Sequence, residues 1–151
     1  MCSRCDYTRI IESAGLEPTS KRRRLLEVIG NNGHPLSAVA IFNAIQEFHR
    51  INRVTVYRIL DLFVENNILE RISTGSRAAH YGMGPNENHA PHPHFYCTRC
   101  GRLDCLQPES MAVDLEKLKK SFSGEIDRVE VRVDGICKNC LRQEISLKEL
   151  T

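Results

Sequence analysis

The chain has 151 residues and a formal net charge of +2, with 41% hydrophobic and 26% charged residues, the balance of an ordinary folded protein rather than a disordered or fibrous one. No apolar run is long enough to span a bilayer and the N-terminus has no h-region, so the expectation is a cytoplasmic protein with no membrane association. Seven cysteines in a reducing compartment then point to metal ligands or redox groups, because structural disulfides are rare there.

The first half reads as short helices. Thr8 to Ala14 is apolar at helical spacing and stops at Gly15. Thr19 or Ser20 caps a second helix reaching Asn31, with Leu25, Leu26 and Ile29 on its apolar stripe. Ser37 caps a third, with Val39, Ile41, Phe42 and Ile45 as expected buried positions. Asn52 opens a fourth, in which Val56, Ile59, Leu60 and Phe63 recur every three or four residues until Asn66-Asn67; Val54 is also expected in the core. The period then changes to that of strands: Ile68 to Ile72 and Ala78 to Met83 flank the turn Thr74-Gly75-Ser76. Helices followed by a two-stranded hairpin are the order of a winged helix-turn-helix.

Residues 84–91 contain two prolines and no apolar periodicity, which reads as a hinge between a first domain (residues 1–83) and a second (92–151). Beyond it, His94 to Cys97 and Arg102 to Leu106 read as strands. Ser110 is expected to cap a helix reaching Ser121, with Met111, Val113, Leu115 and Leu118 apolar. Ile126, Val129, Val131 and Val133 are interleaved with charged residues, the pattern of an amphipathic strand with one face to bury, and Leu141 to Thr151 reads as a short helix. The whole is an α+β chain. Its second domain, of mixed α/β content, has so little core and so many strand edges that pairing with a second copy is expected.

Two Cys-x-x-Cys knuckles carry the strongest chemistry. Cys97, Cys100, Cys137 and Cys140 have the spacing at which a tight turn points both sulfurs of a pair at one ion, and four thiolates suit a closed tetrahedral Zn²⁺. Two redox dithiols or two disulfides are the alternatives that the cysteine count leaves open. Four of the six histidines crowd into residues 80–94; His92 and His94 alternate, so both imidazoles can face one ion. His80, His89, Glu70 and Cys105 complete the candidates for a second metal site. Charge is distributed unevenly: residues 1–83 carry eleven Lys/Arg against eight Asp/Glu, and residues 84–151 carry ten against eleven. The run Lys21 to Arg24, with Arg50, Arg53 and Arg58, supplies cations for phosphate contacts. A zinc-dependent hydrolase is the alternative of a different class, and it lacks a general base with motif support.

The order of these motifs, Thr55-Val56-Tyr57-Arg58 on a helix, then His92-x-His94-x-x-Cys97-x-x-Cys100-Gly101 and a later Cys137-x-x-Cys140, resembles the ferric uptake regulator family of metal-responsive transcription factors, from about Ile10 to Cys140. The resemblance implies a homodimeric repressor whose winged domains bind an AT-rich palindromic operator in double-stranded DNA. It implies DNA-reading positions at Thr55, Tyr57 and Arg58, with Arg22 on the second helix. The sensed metal follows from departures. A Cys stands at position 105, where iron-sensing members carry an acidic residue, and a thiolate favours tetrahedral Zn²⁺ over Fe²⁺ or Mn²⁺. Pro91, Pro93 and Val129 replace ligands of a further site in iron regulators. Glu70 and His80 match positions used in zinc-sensing relatives. The expectation is therefore zinc in a structural site and zinc again in the regulatory site, the zinc uptake regulator branch, with iron, manganese or peroxide response as the alternative. His34 lies near a ligand position of some relatives, one residue out of register. Cys2 and Cys5 form a third Cys-x-x-Cys outside the resemblance.

Overall fold

A computed structural model describes residues 5–75 and 78–149. The chain divides into two compact units, one ending at Pro91 and the other starting at His92. In the first, α1 spans Tyr7–Ser13, α2 Ser20–Gly30, α3 Ala38–Gln46 and α4 Arg53–Glu65. Each begins at a side chain that accepts from an N–H three residues on: Asp6 from Arg9, Thr19 from Arg22, Ser37 from Ala40 and Asn52 from Thr55. Such caps satisfy donors that the first helical turn leaves open. At the other end of α4, Asn67 takes φ 57°, a left-handed conformation that Asn tolerates, and the Ile68 N–H reaches back to the Phe63 carbonyl at 2.9 Å.

Three antiparallel strands complete this unit: β1 (Leu36–Ser37), β2 (Leu69–Ile72) and β3 (His80–Met83), in the order β1-β3-β2. The hairpin of β2 and β3 is the wing, with Thr74 Oγ1 donating to the Ala78 carbonyl at 2.8 Å near its tip. Ser76 lies outside the described residues. Leu25, Leu26, Ile41, Ile45, Leu60 and Phe63 are wholly buried between helices and sheet. The chain leaves β3 through Gly84, whose N–H donates to the Ile68 carbonyl at 2.9 Å. A Cβ there would meet the Asn67 carbonyl at 2.6 Å, so only glycine allows this approach. Two expected core residues are on the surface instead: Val39 is 50% and Val54 58% exposed. The α3 stripe is rotated by one position, with Ala38 buried in place of Val39.

In the second unit β4 (His94–Cys97), β5 (Leu103–Cys105) and β6 (Arg132–Gly135) form a sheet in the order β5-β4-β6, antiparallel between β4 and β5 and parallel between β4 and β6. The expected helix from Ser110 to Ser121 is divided. A 3₁₀ turn covers Pro108–Met111, Ala112 is extended, and α5 spans Leu115–Ser121, because the Asp114 carboxylate caps it by accepting from the Lys117 N–H at 3.1 Å. The expected strand from Ile126 to Val133 is mostly absent, since β4 is the only neighbour of β6 among the described residues and residues 126–131 have no second strand to alternate against. The C-terminal segment is a longer helix than expected, α6 (Lys138–Glu149), starting inside the second knuckle. Met111, Val113, Leu115, Leu118 and Phe122 are 37–55% exposed, an amount of apolar surface that a second chain commonly covers.

Candidate metal centres and nucleic-acid interface

Strand pairing builds the first cluster. Cys97 ends β4, Gly101 turns the chain with φ 74°, and its N–H returns to the Cys97 carbonyl at 2.9 Å. Parallel pairing sets Cys97 opposite Gly135, which carries Cys137 and Cys140 to the same place. The four ligand atoms lie within 4.8 Å of one another, with Cys97 to Cys140 at 3.9 Å and Cys100 to Cys137 at 3.8 Å. Tetrahedral zinc with ordinary Zn–S bonds needs sulfurs roughly 3.8 Å apart; a disulfide needs them about 2 Å apart. The spacing fits one ion and excludes two disulfides in this arrangement. Backbone N–H groups of Cys100 and Cys137 draw the Cys97 thiol down to about 6. The Cys140 thiol is pushed up to about 12, first by its hydrogen bond with Cys137. Four thiols this close cannot all ionise unless a cation sits among them.

The second cluster is His92, His94 and Cys105, again with all ligand atoms within 4.8 Å. Antiparallel register places His94 directly opposite Cys105, and His92, two residues earlier, falls on the same face of the extended chain. The imidazole rings stand 4.8 Å apart, tilted by 56°. His94 is buried and Cys105 is at the surface. Partial desolvation of its sulfur beside the histidines raises the Cys105 thiol, and hydrogen bonds and charge from His92 and His94 outweigh that, bringing it to about 7. Two imidazoles and a thiol that ionises near neutral pH offer three donors of the kind a tetrahedral zinc site uses, at a spread that ordinary Zn–N and Zn–S bonds can close. Asp104, the intervening residue, faces away and pairs with Arg102 at 2.7 Å.

Glu70 and His80 belong to the first unit and to neither cluster among the described residues. The register of β2 and β3 aligns Ile72 with His80 and Glu70 with Gly82, so Glu70 and His80 project from the same face of the wing. His80 Nδ1 is buried without a hydrogen-bond partner among the described residues, and burial followed by the nearby His34 lowers the His80 pKa. His89 Nε2 lies 3.4 Å from Cys5 Sγ. The partner of Cys5 is 84 residues away, a contact with no local signal in the sequence; Cys2 lies outside the described residues.

The candidate DNA-facing surface is α4. Tyr57 is 38% exposed and Arg58 is also exposed, whereas Val56, Ile59, Leu60 and Phe63 point inward. Thr55 is half-buried near the Asn52 cap. Of the basic residues, Lys21, Arg23 and Arg50 are exposed. Others are engaged: Arg22 donates to the Glu17 carbonyl at 2.9 Å, Arg24 pairs with Glu27 and stacks on Phe48, and Arg53 lies 4.9 Å over the Phe42 ring.

The Ferric uptake regulator family model matches residues 13–133. The chain belongs to that family. The ferric uptake regulation protein of Bacillus subtilis is 26% identical over 137 residues, covering 89% of this chain and 91% of that protein. Among solved structures, the Helicobacter pylori ferric uptake regulator Fur, described as having three functional metal-binding sites, aligns with a TM-score of 0.73 at 19% identity. It covers 93% of this chain and 97% of its own. A zinc uptake regulator complexed with zinc and DNA aligns at 0.65 and 18% identity, over 94% and 99% of the two chains. The shared fold is a winged helix-turn-helix domain followed by a small α/β domain. Members of the family are metal-responsive transcription regulators and not enzymes, and this chain is one of them.

Proposed function

We propose that the chain is a zinc-responsive repressor of metal-uptake genes, acting in the cytoplasm as a homodimer on an AT-rich palindromic operator. The observation that carries the choice of metal is the strand register that sets Cys105 opposite His94. It adds a soft thiolate to two imidazoles, a set that favours Zn²⁺ over the harder ions. The relatives named for ferric uptake support a second reading, Fe²⁺ at the same residues, and Mn²⁺, another hard ion, belongs to the same alternative. A carboxylate in place of Cys105 would suit those ions better.

In this reading Cys97, Cys100, Cys137 and Cys140 hold a structural zinc. His92, His94 and Cys105 form the sensing site with Glu70 or His80 as a further ligand, and His89 as a reserve donor in residues 84–91. A bound ion would supply a fixed link between the residues sharing it. An ion shared by these ligands would raise the population of the conformer that fits DNA. Linkage makes the effect mutual, so DNA tightens metal binding by the same factor. On the operator, Tyr57 and Arg58 face base edges, while Thr55 and Arg22 hold phosphates or flank the groove. A twofold dimer explains a palindromic site.

The test measures Zn²⁺ and Fe²⁺ affinities, and DNA binding with each, for the wild type and Cys105→Asp. The wild type is expected to prefer zinc and to bind DNA only when loaded, and the variant to shift toward iron. Equal preference in both proteins would remove the argument for zinc; DNA binding indifferent to metal would remove the sensor.

A further inference from the structure

Val54 has no role in the core or in the metal sites. It is 58% exposed, and a β-branched side chain there slightly lowers helix propensity. Its neighbours on the helix surface are Tyr57, Arg58 and Asp61, at the three-, four- and seven-residue spacing that shares one face, and all three are exposed. The outer stripe of α4 therefore differs from the Thr-Val-Tyr-Arg motif as read along the chain: Thr55 turns partly inward and Val54 takes the outer position.

Building on the DNA-binding reading, we infer that Val54 reads thymine by packing its methyl groups against the thymine 5-methyl in the major groove. The stripe carries a phenol, a guanidinium and one aliphatic group. The major groove offers hydrogen-bonding base edges to the first two, and the thymine methyl is the feature it offers to an aliphatic partner. Asp61 sets the limit of the contact. Its carboxylate, one turn beyond Tyr57 and Arg58, is repelled by phosphates, so the first two turns of α4 enter the groove and the third turns away. Val54 lies in the first of those turns, beside the Asn52 cap.

The experiment selects duplexes from a random pool with the zinc-loaded wild type. Each thymine of the preferred site is then replaced singly by uracil, which removes the 5-methyl alone. At one thymine of each half-site the replacement should weaken the wild type about fourfold, the factor expected for losing one buried methyl, and leave Val54→Ala unaffected. Val54→Thr, which keeps one of the two methyls, should fall between. Val54→Ala replaces an exposed residue with a better helix former, so it folds, which circular dichroism verifies. Uracil sensitivity identical in wild type and Val54→Ala at every position, or absent from the wild type, overturns the inference. A pool that yields no preferred duplex fails one step earlier and overturns the DNA-binding reading on which it rests.

Discussion

Replacing Cys140 by Ser should unfold the second unit and leave the first intact. The buried residues of the second unit are few: among those described, Pro93, His94, Cys97, Leu103 and Cys140. Two of the five are knuckle cysteines. Burying Leu103 contributes roughly 1.5–3 kcal/mol, whereas a closed thiolate site contributes apparent binding energies of about 10–16 kcal/mol in small zinc domains. On the proposed reading a structural zinc would thus carry most of the stability of this unit, and losing one of four ligands would outweigh the side-chain packing that remains. The first unit has its own core of Leu25, Leu26, Ile41, Ile45, Leu60 and Phe63. Full-length Cys140→Ser, compared with wild type in the presence and absence of a chelator, should retain the helical circular dichroism of α1 to α4 and lose amide protection in β4 and β5. It should also lose one zinc per chain and become monomeric by light scattering. Wild-type protection of β4 in the variant after zinc has left would refute the reasoning, because the sheet would then be held by packing the structure does not show.

Three further outcomes follow from individual side chains. In protein carrying only its structural zinc, Cys105 should be alkylated with a midpoint near pH 7, its thiol lying below the ordinary value. The thiolate, and with it metal affinity, is present above that pH and lost below it; site-resolved mass spectrometry in native and denatured protein checks this, and a folded midpoint near 8.5 would contradict the His–Cys geometry. Arg58→Ala should weaken operator binding by about 1–3 kcal/mol, roughly five- to 150-fold, if its guanidinium meets a guanine, read by gel shift. An unchanged affinity removes it from the interface. Leu60→Ala, at a wholly buried position, should cost the first unit about 2–5 kcal/mol in urea unfolding. A smaller loss would mean that the surrounding helices relax into the space.

Much of the candidate site is legible in the sequence. Capping residues and apolar period located α2, α3 and α4 to within a residue or two, because N-cap hydrogen bonds and helical stripes are local. Cys-x-x-Cys spacing is equally local, as is the alternation of His92 and His94. Burial was less legible. Val39 and Val54 are aliphatic residues within apolar helices, and only the rotation of each helix against its neighbours decides which face is covered. The failures in the second unit have two causes: Asp114 rather than Ser110 caps α5, a choice between two local caps, and residues 126–131 have no neighbouring strand among the described residues.

The sequence by itself determined the candidate donors of the two side-chain clusters, the helical frame of the winged unit and the family, all encoded by residue type at short spacing. Only the tertiary structure decided which donors meet. Parallel pairing of β4 with β6 brings the knuckles together across some forty residues, and antiparallel pairing of β4 with β5 sets Cys105 against His94. Strand register is a property of two segments at once, and a one-residue slip would turn Cys105 to the opposite face. The exposure of Val54 belongs to the same class, for it depends on what packs against the other side of α4.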